Sequence, residues 1–498
     1  MTAARVRPAK RGPARVVSPL EQFHPDGYVT GVAVAGSGRI GVTVPKAAAG
    51  AERTDLLLIV PTAKQARTRR WLDDVLMAER PRLGGDAIVY VVAPRFRRRG
   101  IRRALARHGL RQVFAVAHVP DLERPRYLVP IERGAAGRAF ASVVAVWPRR
   151  RRVLGALLRV PGAGRLLAAL VPSVALIAQG RGARPPFEWL SQLAGADAAS
   201  PTIVTNGRDD DRLVLIGSGR DEGGVVAKVR FGRRAELDKE AVNLGTLGLT
   251  ARTGIARVPE LRSFRAETGR TVLVESGVSG TPAAALLSAS PSSFTHVVSL
   301  LAEWLEGWHR ASEIRRMPES GELELYVLSA AEALADAFPD GPRYLGWLAD
   351  RCRDVAGISI PFVAAHNDLT MFNVLVDGER LGVVDWEAAS EAGLPLTDFF
   401  YAAVDAAAAT AHYGDRARSF SKCFVVDGEF SRLVTSTQLR LVSALEIPPE
   451  VAELSFHACW IRHAANEQQR DGTGRDASFI AIVEQLAALS AAWLPAQK

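Results

Sequence analysis

Cysteine is scarce in this chain of 498 residues. The sequence has three, Cys352, Cys423 and Cys459, and none of them forms a CxxC pair. Three separated thiols can neither build a disulfide framework nor supply a structural zinc site, so both are excluded and a reducing compartment is favoured. We therefore expect a cytoplasmic protein.

Long apolar runs are missing as well. Within the basic stretch 149–180, the longest uncharged run covers residues 166–180, is 15 residues long and contains Pro172. A membrane-spanning helix needs about 20 apolar residues, so we expect no transmembrane segment. The basic start, MTAARVRPAKRGPARVV, is not followed by an apolar run, which predicts neither a signal peptide nor an anchor.

Lysine is rare, and charge is divided unevenly between the two parts of the chain. Seven of the 63 basic residues are lysines. Residues 1–200 hold 34 basic and 13 acidic residues, a net charge of +21, whereas the remainder holds 29 and 40, a net charge of −11. This asymmetry indicates that residues 1–180 can contact an anionic membrane or another polyanion, which would make the protein membrane-peripheral. A solvated arginine-rich face is the alternative, and nucleic acid is not favoured.

The first 200 residues divide into three predicted parts. Residues 1–22 are rich in Arg, Pro and Ala without apolar periodicity, which predicts a flexible basic tail. Residues 23–148 alternate β-rich runs with helical patterns, which predicts an α/β accessory domain with a largely parallel sheet. Residues 149–200 predict a basic helical connector followed by a linker dense in Gly, Asp, Ser and Pro.

Two patterns in this part suggest cofactor binding. GSGRIG, Gly36–Gly41, matches GxGxxG, but the residues after it favour a strand where a dinucleotide site needs a helix, so we predict a hairpin turn. The stretch from Asp55 to Pro130 resembles the distal half of a class I methyltransferase. The acidic-Gly-x-Gly loop of that family is missing upstream, so methyl transfer is kept only as an alternative that requires S-adenosylmethionine.

A β-hairpin and a helix follow the linker. RLVLIGSGRDEGGVVAKVRF alternates apolar and polar residues around a Gly-rich turn, which places Lys228 on the second strand. The next stretch, RRAELDKEAVNLGTLG, is helical in pattern and carries Glu240 twelve residues after Lys228. A strand, RTVLVES, then ends at Glu275 and Ser276. Each of these patterns is common on its own.

The segment from Ala364 to Glu387 carries the chemistry. Asp368 precedes Asn373 by five residues, and two short strands joined by a DG turn then lead to Asp385. A loop leading into a hairpin can aim one carboxylate at a hydroxyl and place an amide oxygen and a second carboxylate side by side. Such oxygens are the ligands that Mg²⁺ prefers.

On these residues the chain resembles the aminoglycoside phosphotransferase and choline kinase family. His366, Asp368, Asn373 and Asp385 fit the family signature, and Asp398 in GLPLTDFFY is similar to the segment that braces the metal site. The resemblance covers about residues 205–490. It implies a protein-kinase-like bilobal α+β fold, with a small β-rich lobe at 201–276 and a large helical lobe at 277–498 that contains the catalytic loop 364–387.

The resemblance also implies a role for each site residue. Asp368 would be the catalytic residue that receives or orients the proton of the acceptor hydroxyl. Asn373 and Asp385 would hold Mg²⁺ on ATP. The remaining residues would bind the nucleotide: Lys228 its α and β phosphates, Glu240 by positioning Lys228 with Glu236 as a fallback, the turn Gly217, Ser218 and Gly219 over the phosphates, and the backbone at Glu275 and Ser276 at the adenine edge.

Spacing favours a small-molecule acceptor over a protein. The 13 residues from Asp385 to Asp398 leave no room for a long activation segment that seats a peptide. The leading hypothesis is therefore an ATP- and Mg²⁺-dependent phosphotransferase acting on a hydroxyl of a sugar, amino sugar or amino alcohol. The alternative is a catalytically weak kinase-like binding or regulatory protein that engages anionic lipid or a cell-envelope polymer through its basic part.

Overall fold

The computed structural model describes residues 20–26, 32–35, 53–62, 65, 69–94, 97–119, 125, 127–131, 173–194, 201–204, 212–217, 224–231, 234–267, 270–471 and 478–489. The chain divides into two compact units. The first unit contains residues 1–144, 153–241 and 261–277, and the second contains residues 145–152, 242–260 and 278–498. The turn predicted at Gly36–Gly41 and the part of the predicted connector at 149–172 lie outside the described residues.

The first unit is built on strands numbered here in chain order, with β10 belonging to the second unit. Their bounds are β1 Val32–Ala35, β2 Thr54–Ile59, β3 Leu83–Pro94, β4 Leu110–Val119, β5 Tyr127–Pro130, β6 Ser173–Gly180, β7 Thr202–Val204, β8 Arg212–Gly217, β9 Val225–Phe231, β11 Leu261–Glu267 and β12 Arg270–Ser276. The helices are α1 Arg69–Glu79, α2 Arg98–Arg107 and α3 Glu188–Ala194, and α4 Arg234–Ala251 crosses the boundary between the units.

These strands form one sheet of eleven strands, in the order β1-β2-β3-β6-β4-β5-β7-β8-β9-β12-β11. The pairs β1·β2 and β2·β3 are parallel. The other pairs are antiparallel. Because β5 pairs with β7 through Tyr127↔Val204 and Leu128↔Ile203, the sheet continues from the N-terminal strands into the predicted small lobe.

Two predictions for the first 200 residues need correction. The sheet is mixed and not largely parallel, because β6 lies antiparallel between β3 and β4. Residues 173–180, predicted as part of a helical connector, form this strand. Its Val and Ile side chains are buried on both faces of the sheet, and a short run buried on both faces cannot be distinguished from a buried helix by periodicity.

The core of the first unit explains why the predicted tail is shorter than residues 1–22. Leu20 is fully buried, and Phe23 contacts the rings of Tyr90 at 5.8 Å and Phe187 at 5.0 Å between centroids. Together with α3, these residues cover one face of the sheet from β2 to β12. The tail prediction is therefore wrong for residues 20–22, because two apolar residues three apart anchor a segment that is otherwise polar.

The second unit is mainly helical. Its helices are α5 Ala283–Ala289, α6 Phe294–Ser312, α7 Ser329–Leu334, α8 Gly341–Ala356, α9 Thr397–Thr410, α10 Arg416–Phe424, α11 Glu429–Ala444, α12 Pro449–Asp471 and α13 Ser478–Leu489, with a π-helical turn at Glu324–Leu328. Its strands are β10 Ala256–Arg257, β13 Thr281–Pro282, β14 Ile314–Arg316, β15 Ile360–Ala365, β16 Val374–Asp377, β17 Arg380–Val383 and β18 Ser390–Gly393.

Two small sheets position the loops of the second unit. One has the order β10-β17-β16-β13 and the other β14-β15-β18. Helix α9 is buried from Thr397 to Ala409 and lies in the centre of the helical core, where it packs against α6, α10 and α12. The α+β architecture predicted for the chain, with a β-rich part followed by a helical part, is confirmed. Among the helices of the described residues, none combines the length and the apolar character needed to cross a bilayer.

Candidate functional site

Lys228 lies in the middle of β9, between β8 and β12. It pairs with Val214 on β8 and Leu273 on β12. Its neighbours Ala227 and Val229 belong to the core on one face of the sheet, so strand alternation places Lys228 on the opposite face. The side chain is nevertheless almost completely buried. A buried ammonium requires an anionic partner.

Two buried carboxylates supply that partner. Lys228 Nζ donates to Oε1 of Glu240, which lies on α4, and lies 3.5 Å from Oε1 of Glu275 on β12. Glu275 lies two positions after Leu273, which faces Lys228 across the strands, so the contact is diagonal. The approach of this carboxylate was missed, because sequence reasoning assigned only the backbone at Glu275 to the nucleotide.

The other nucleotide-binding candidates lie at the end of the same strands. Gly217 on β8 and Ser276 on β12 both pair with Val225, one on either side of β9. The Gly277 N–H donates to the Gly224 carbonyl at 2.9 Å, which closes this end of the sheet. Ser218, Gly219 and the side chain of Glu236 lie outside the described residues.

The predicted catalytic loop leaves β15 through a left-handed residue. Asn367 has φ of 62°, a conformation that Asn tolerates better than most residues. The backbone N–H groups of His366 and Asn367 donate to Asp398 Oδ2 and Oδ1 at 2.6 and 2.8 Å. The Asn367 amide nitrogen donates to the Ala388 carbonyl at 3.1 Å. These bonds fix the backbone immediately before Asp368.

Burial and hydrogen bonding act in opposite directions on Asp398. Burial raises the pKa of its carboxyl group, while nearby His366 and the two backbone N–H groups oppose the rise. His366 itself is fully buried, and its Nε2 lies 3.1 Å from the Val384 carbonyl. The ring also contacts Trp386, which is fully buried. His366 and Trp386 are therefore core residues.

Asp368 and Asn373 are in direct contact. Asn373 Nδ2 donates to the Asp368 carbonyl at 2.9 Å and to Asp368 Oδ2 at 3.2 Å. The first bond closes the loop, and the second orients the carboxylate. Because the amide nitrogen is used in this way, the amide carbonyl oxygen of Asn373 points away from Asp368 and is the atom that could bind a cation.

Asp385 follows the second strand of the hairpin that Asn373 begins. The register Val374↔Val383 and the 3.0 Å bond from Val384 N–H to the Asn373 carbonyl place both residues at the same end of this hairpin. Asp385 has φ of 70°, so the chain turns out of the strand there. An amide oxygen and a carboxylate are hard donors, and they fit Mg²⁺.

Asn243 is a second site-forming residue that sequence reasoning missed. Its amide nitrogen donates to the carbonyls of Trp386 at 2.8 Å and Ala389 at 3.0 Å, which holds the backbone immediately after Asp385. No local motif distinguishes this residue. Its only sequence signal is a polar amide on the buried face of α4, three residues after Glu240.

The candidate residues thus form two groups, each within one unit. The first unit brings together Lys228, Glu240 and Glu275. The second brings Asp368 into contact with Asn373 and places Asp385 at the same hairpin end. The first group offers an ammonium that two carboxylates hold in place. The second offers a base-like carboxylate beside hard oxygen ligands.

Comparison with known proteins agrees with this chemistry. Residues 204–421 match the model of a family described as "Phosphotransferase enzyme family". The matched range includes every candidate site residue named above. No curated protein matches the chain.

Several solved structures are similar to part of the chain. Aminoglycoside phosphotransferase APH(3'')-Id from Streptomyces rimosus is 18% identical, covers 55% of this chain and 97% of its own, and has a TM-score of 0.36. A putative fructosamine-3-kinase from Haemophilus somnus is 14% identical over 60% of this chain and 95% of its own, with a TM-score of 0.38. A choline/ethanolamine kinase family protein from Mesorhizobium loti is 18% identical over 60% and 98%, with a TM-score of 0.31. The resemblance predicted from His366, Asp368, Asn373 and Asp385 is confirmed: residues 204–421 of this chain match the phosphotransferase enzyme family.

Proposed function

We propose that this protein transfers the γ-phosphoryl group of ATP, in the presence of Mg²⁺, to a hydroxyl group of a small molecule such as a sugar, an amino sugar or an amino alcohol. The observation that carries the proposal is the contact between Asp368 and Asn373 on a loop held by Asp398. Phosphoryl transfer depends on positioning and on charge stabilisation more than on a reactive side chain, and this loop supplies positioning.

Asp368 is proposed to orient the acceptor hydroxyl and to receive its proton. Its Oδ2 accepts from Asn373 Nδ2, so the rotation of the carboxylate is restricted. A fixed carboxylate oxygen can take a proton only from a hydroxyl within hydrogen-bond reach. This geometry favours one hydroxyl of an acceptor over others on the same molecule.

Lys228 is proposed to bind the α and β phosphates. Its buried contacts with Glu240 and Glu275 fix the ammonium in place. Asn373 and Asp385 would hold Mg²⁺, which when bound neutralises charge on the phosphate oxygens. Gly217 and Ser276, which both pair with Val225 at one end of β9, are proposed to bind the nucleotide as well, together with Ser218 and Gly219.

The surroundings of Asp368 support a small acceptor. Phe372, four residues later, is half exposed and stacks on Tyr413 with ring centroids 5.3 Å apart. An exposed aromatic face suits the C–H face of a sugar or an ammonium group. The chain between Asp385 and Asp398 is occupied by β18, which pairs with β15, so it offers no extended segment for a peptide.

Thermal unfolding with ATP, with and without Mg²⁺, tests nucleotide binding, because a ligand of the native state raises the unfolding midpoint. We expect a rise that requires Mg²⁺ in the wild type and is lost in Asp385→Asn. Asp377→Asn is the matched control, because Asp377 is exposed and lies at the other end of the same hairpin. An equal rise in both variants would contradict the assignment of Asp385.

A screen of sugars, amino sugars and amino alcohols for acceptor-dependent release of ADP tests the transfer itself. We expect at least one compound to increase ADP release, and Asp368→Asn to abolish the increase while Mg·ATP binding persists. If Asp368→Asn transferred phosphate at the wild-type rate, the proposed reaction would be wrong.

A second function is favoured by one observation on the first unit. Arg99, Arg102 and Arg103 on α2 are exposed, whereas Ala104 and Leu105 face the core. A basic helix face of this kind could engage anionic lipid or a cell-envelope polymer. Co-sedimentation with phosphatidylglycerol vesicles tests this role: binding that weakens as salt rises and is lost in Arg99→Ser/Arg102→Ser/Arg103→Ser supports it, and binding unaffected by these changes contradicts it.

A further inference from the structure

Asp405 is a buried carboxylate without a role in the proposed reaction so far. It lies on α9 seven residues after Asp398, that is two turns later on the same helix face. Its Oδ2 accepts the backbone N–H of Met371 at 2.7 Å and the hydroxyl of Tyr413 at 3.0 Å. Its Oδ1 accepts from Arg416 Nη2 at 3.0 Å.

The bond to Met371 places Asp405 on the catalytic loop. Asp398 accepts the N–H groups of His366 and Asn367, which precede Asp368, and Asp405 accepts the N–H of Met371, which follows it. One helix face therefore holds the loop on both sides of the proposed catalytic residue. We propose that Asp405 is a positioning residue, which fixes the exit of the loop so that Asp368 stays aligned with the acceptor. This inference rests on the proposed function.

Met371 is held on its carbonyl side too. Its carbonyl accepts the backbone N–H of Ala284 at 2.8 Å, and its side chain is fully buried. Two residues later, Asn373 contacts Asp368, so a shift at Met371 would move both. A misplacement of about 1 Å near a reacting group can lower the rate by about a hundredfold. The Asp405 bond opposes such a shift on the amide side of Met371.

The other neighbours of Asp405 satisfy the rest of its hydrogen-bonding capacity and balance its charge. Burial together with the charge of Asp405 raises the pKa of Tyr413, so the phenol stays protonated and donates. His412 and Tyr413 have φ of 56° and 58°, which is unfavourable for non-glycine residues. Arg416, which stacks over the Phe479 ring at 4.5 Å, balances the carboxylate. Buried ion pairs are often replaceable by apolar residues without loss of stability.

Because a buried ion pair can often be replaced by uncharged residues, two double variants at Asp405 and Arg416 test the proposal. Asp405→Leu/Arg416→Met removes both charges and the acceptor for the Met371 N–H, while Asp405→Asn/Arg416→Met removes both charges but keeps an oxygen at that position. The two variants are matched in charge. Thermal unfolding and Mg·ATP binding report whether both are folded.

We expect the leucine variant to lose about a hundredfold in kcat with little change in the Kd for Mg·ATP, and the asparagine variant to recover at least tenfold of this loss. The readouts are phosphate release from Mg·ATP with water as the acceptor and transfer to the acceptor found by the screen. Equal kcat in both folded variants would overturn the inference.

Amide hydrogen exchange keeps the inference testable without activity. We expect the Met371 amide to exchange at least tenfold faster in Asp405→Leu/Arg416→Met than in Asp405→Asn/Arg416→Met, while amides of α12 remain protected in both. Equal exchange of the Met371 amide in the two variants would overturn the positioning role of Asp405, even if the enzyme is active. A wild-type protein that shows Met371 protection but no phosphate transfer to any acceptor would overturn the proposed function and, with it, the positioning role.

Discussion

Replacing Lys228 by methionine separates the structural role of this residue from its proposed nucleotide role. The change removes the ammonium that contacts Glu240, which is fully buried, and Glu275, which is 2% exposed. Removing one partner of a buried pair costs about 3 to 5 kcal/mol, because the remaining charge stays in a site with little water. With two carboxylates affected, we expect the free energy of unfolding to fall by about 4 to 5 kcal/mol.

Urea unfolding followed by circular dichroism measures this change. Lys239→Met is the control, because Lys239 is exposed and directly precedes Glu240 on α4; it should shift the free energy of unfolding by less than about 0.5 kcal/mol. In Lys228→Met/Glu240→Gln one of the two carboxylates is neutral, so we expect recovery of about 2 kcal/mol relative to Lys228→Met. Neither Lys228→Met nor Lys228→Met/Glu240→Gln should show the ATP-dependent rise in unfolding temperature.

Two results would refute this reasoning. If Lys228→Met unfolded at the wild-type urea concentration, the ammonium would not be stabilising the buried carboxylates. If Lys228→Met/Glu240→Gln regained both stability and the response to Mg·ATP, Lys228 would be a structural residue, and the phosphate ligand would have to be sought elsewhere.

Three further predictions concern stability. Burial lowers the pKa of His309 and of His457 to about 3, so below pH 6.5 the unfolded state binds protons that the folded state does not. Each histidine should therefore lower the free energy of unfolding by about 1.4 kcal/mol at pH 5.5. His457→Gln should reduce the fall of the urea midpoint between pH 7.5 and 5.5, whereas an unchanged pH dependence would contradict the buried, neutral state of His457. Asn367→Ala should lower the free energy of unfolding by about 2 kcal/mol in urea titrations, because φ of 62° disfavours Ala and the amide bonds are lost; no loss would argue against the left-handed conformation. Phe23→Ala should cost about 3 to 5 kcal/mol by the same assay, and a cost below about 1 kcal/mol would show that this segment does not belong to the core.

Features set by local chemistry could be predicted well from the sequence. The strand RTVLVES has its observed bounds, Arg270–Ser276, because it combines β-branched residues with polar ends. The left-handed conformation of Asn367 and the hairpin after Asn373 follow from residues within a few positions of each other. Motifs of this kind are local, so a single sequence reveals them.

Features that depend on distant pairing could not be predicted. Strand β6 is inserted between β3 and β4, and only its long-range partners distinguish it from a buried helix. The pairing of β5 with β7 likewise joins segments that lie far apart in the sequence, across the predicted connector. Hydrophobic periodicity gives the number of buried faces of a segment but not which strands cover them. The boundary near residue 200 remains a prediction about chain organisation and does not mark the end of a sheet.

Asp405 shows where a sequence signal existed but lacked a partner. It interrupts the otherwise apolar stretch FFYAAVDAAAAT, and a charged residue there is buried whichever way the helix is turned. Because a buried carboxylate must be paired, this aspartate predicts that the folded chain supplies a hydrogen-bond donor to it. One such donor, the N–H of Met371, has no side-chain signature, since every non-proline residue carries the same group. A sequence can therefore indicate that Asp405 is bonded, whereas only the fold reveals that the bond is made to the catalytic loop.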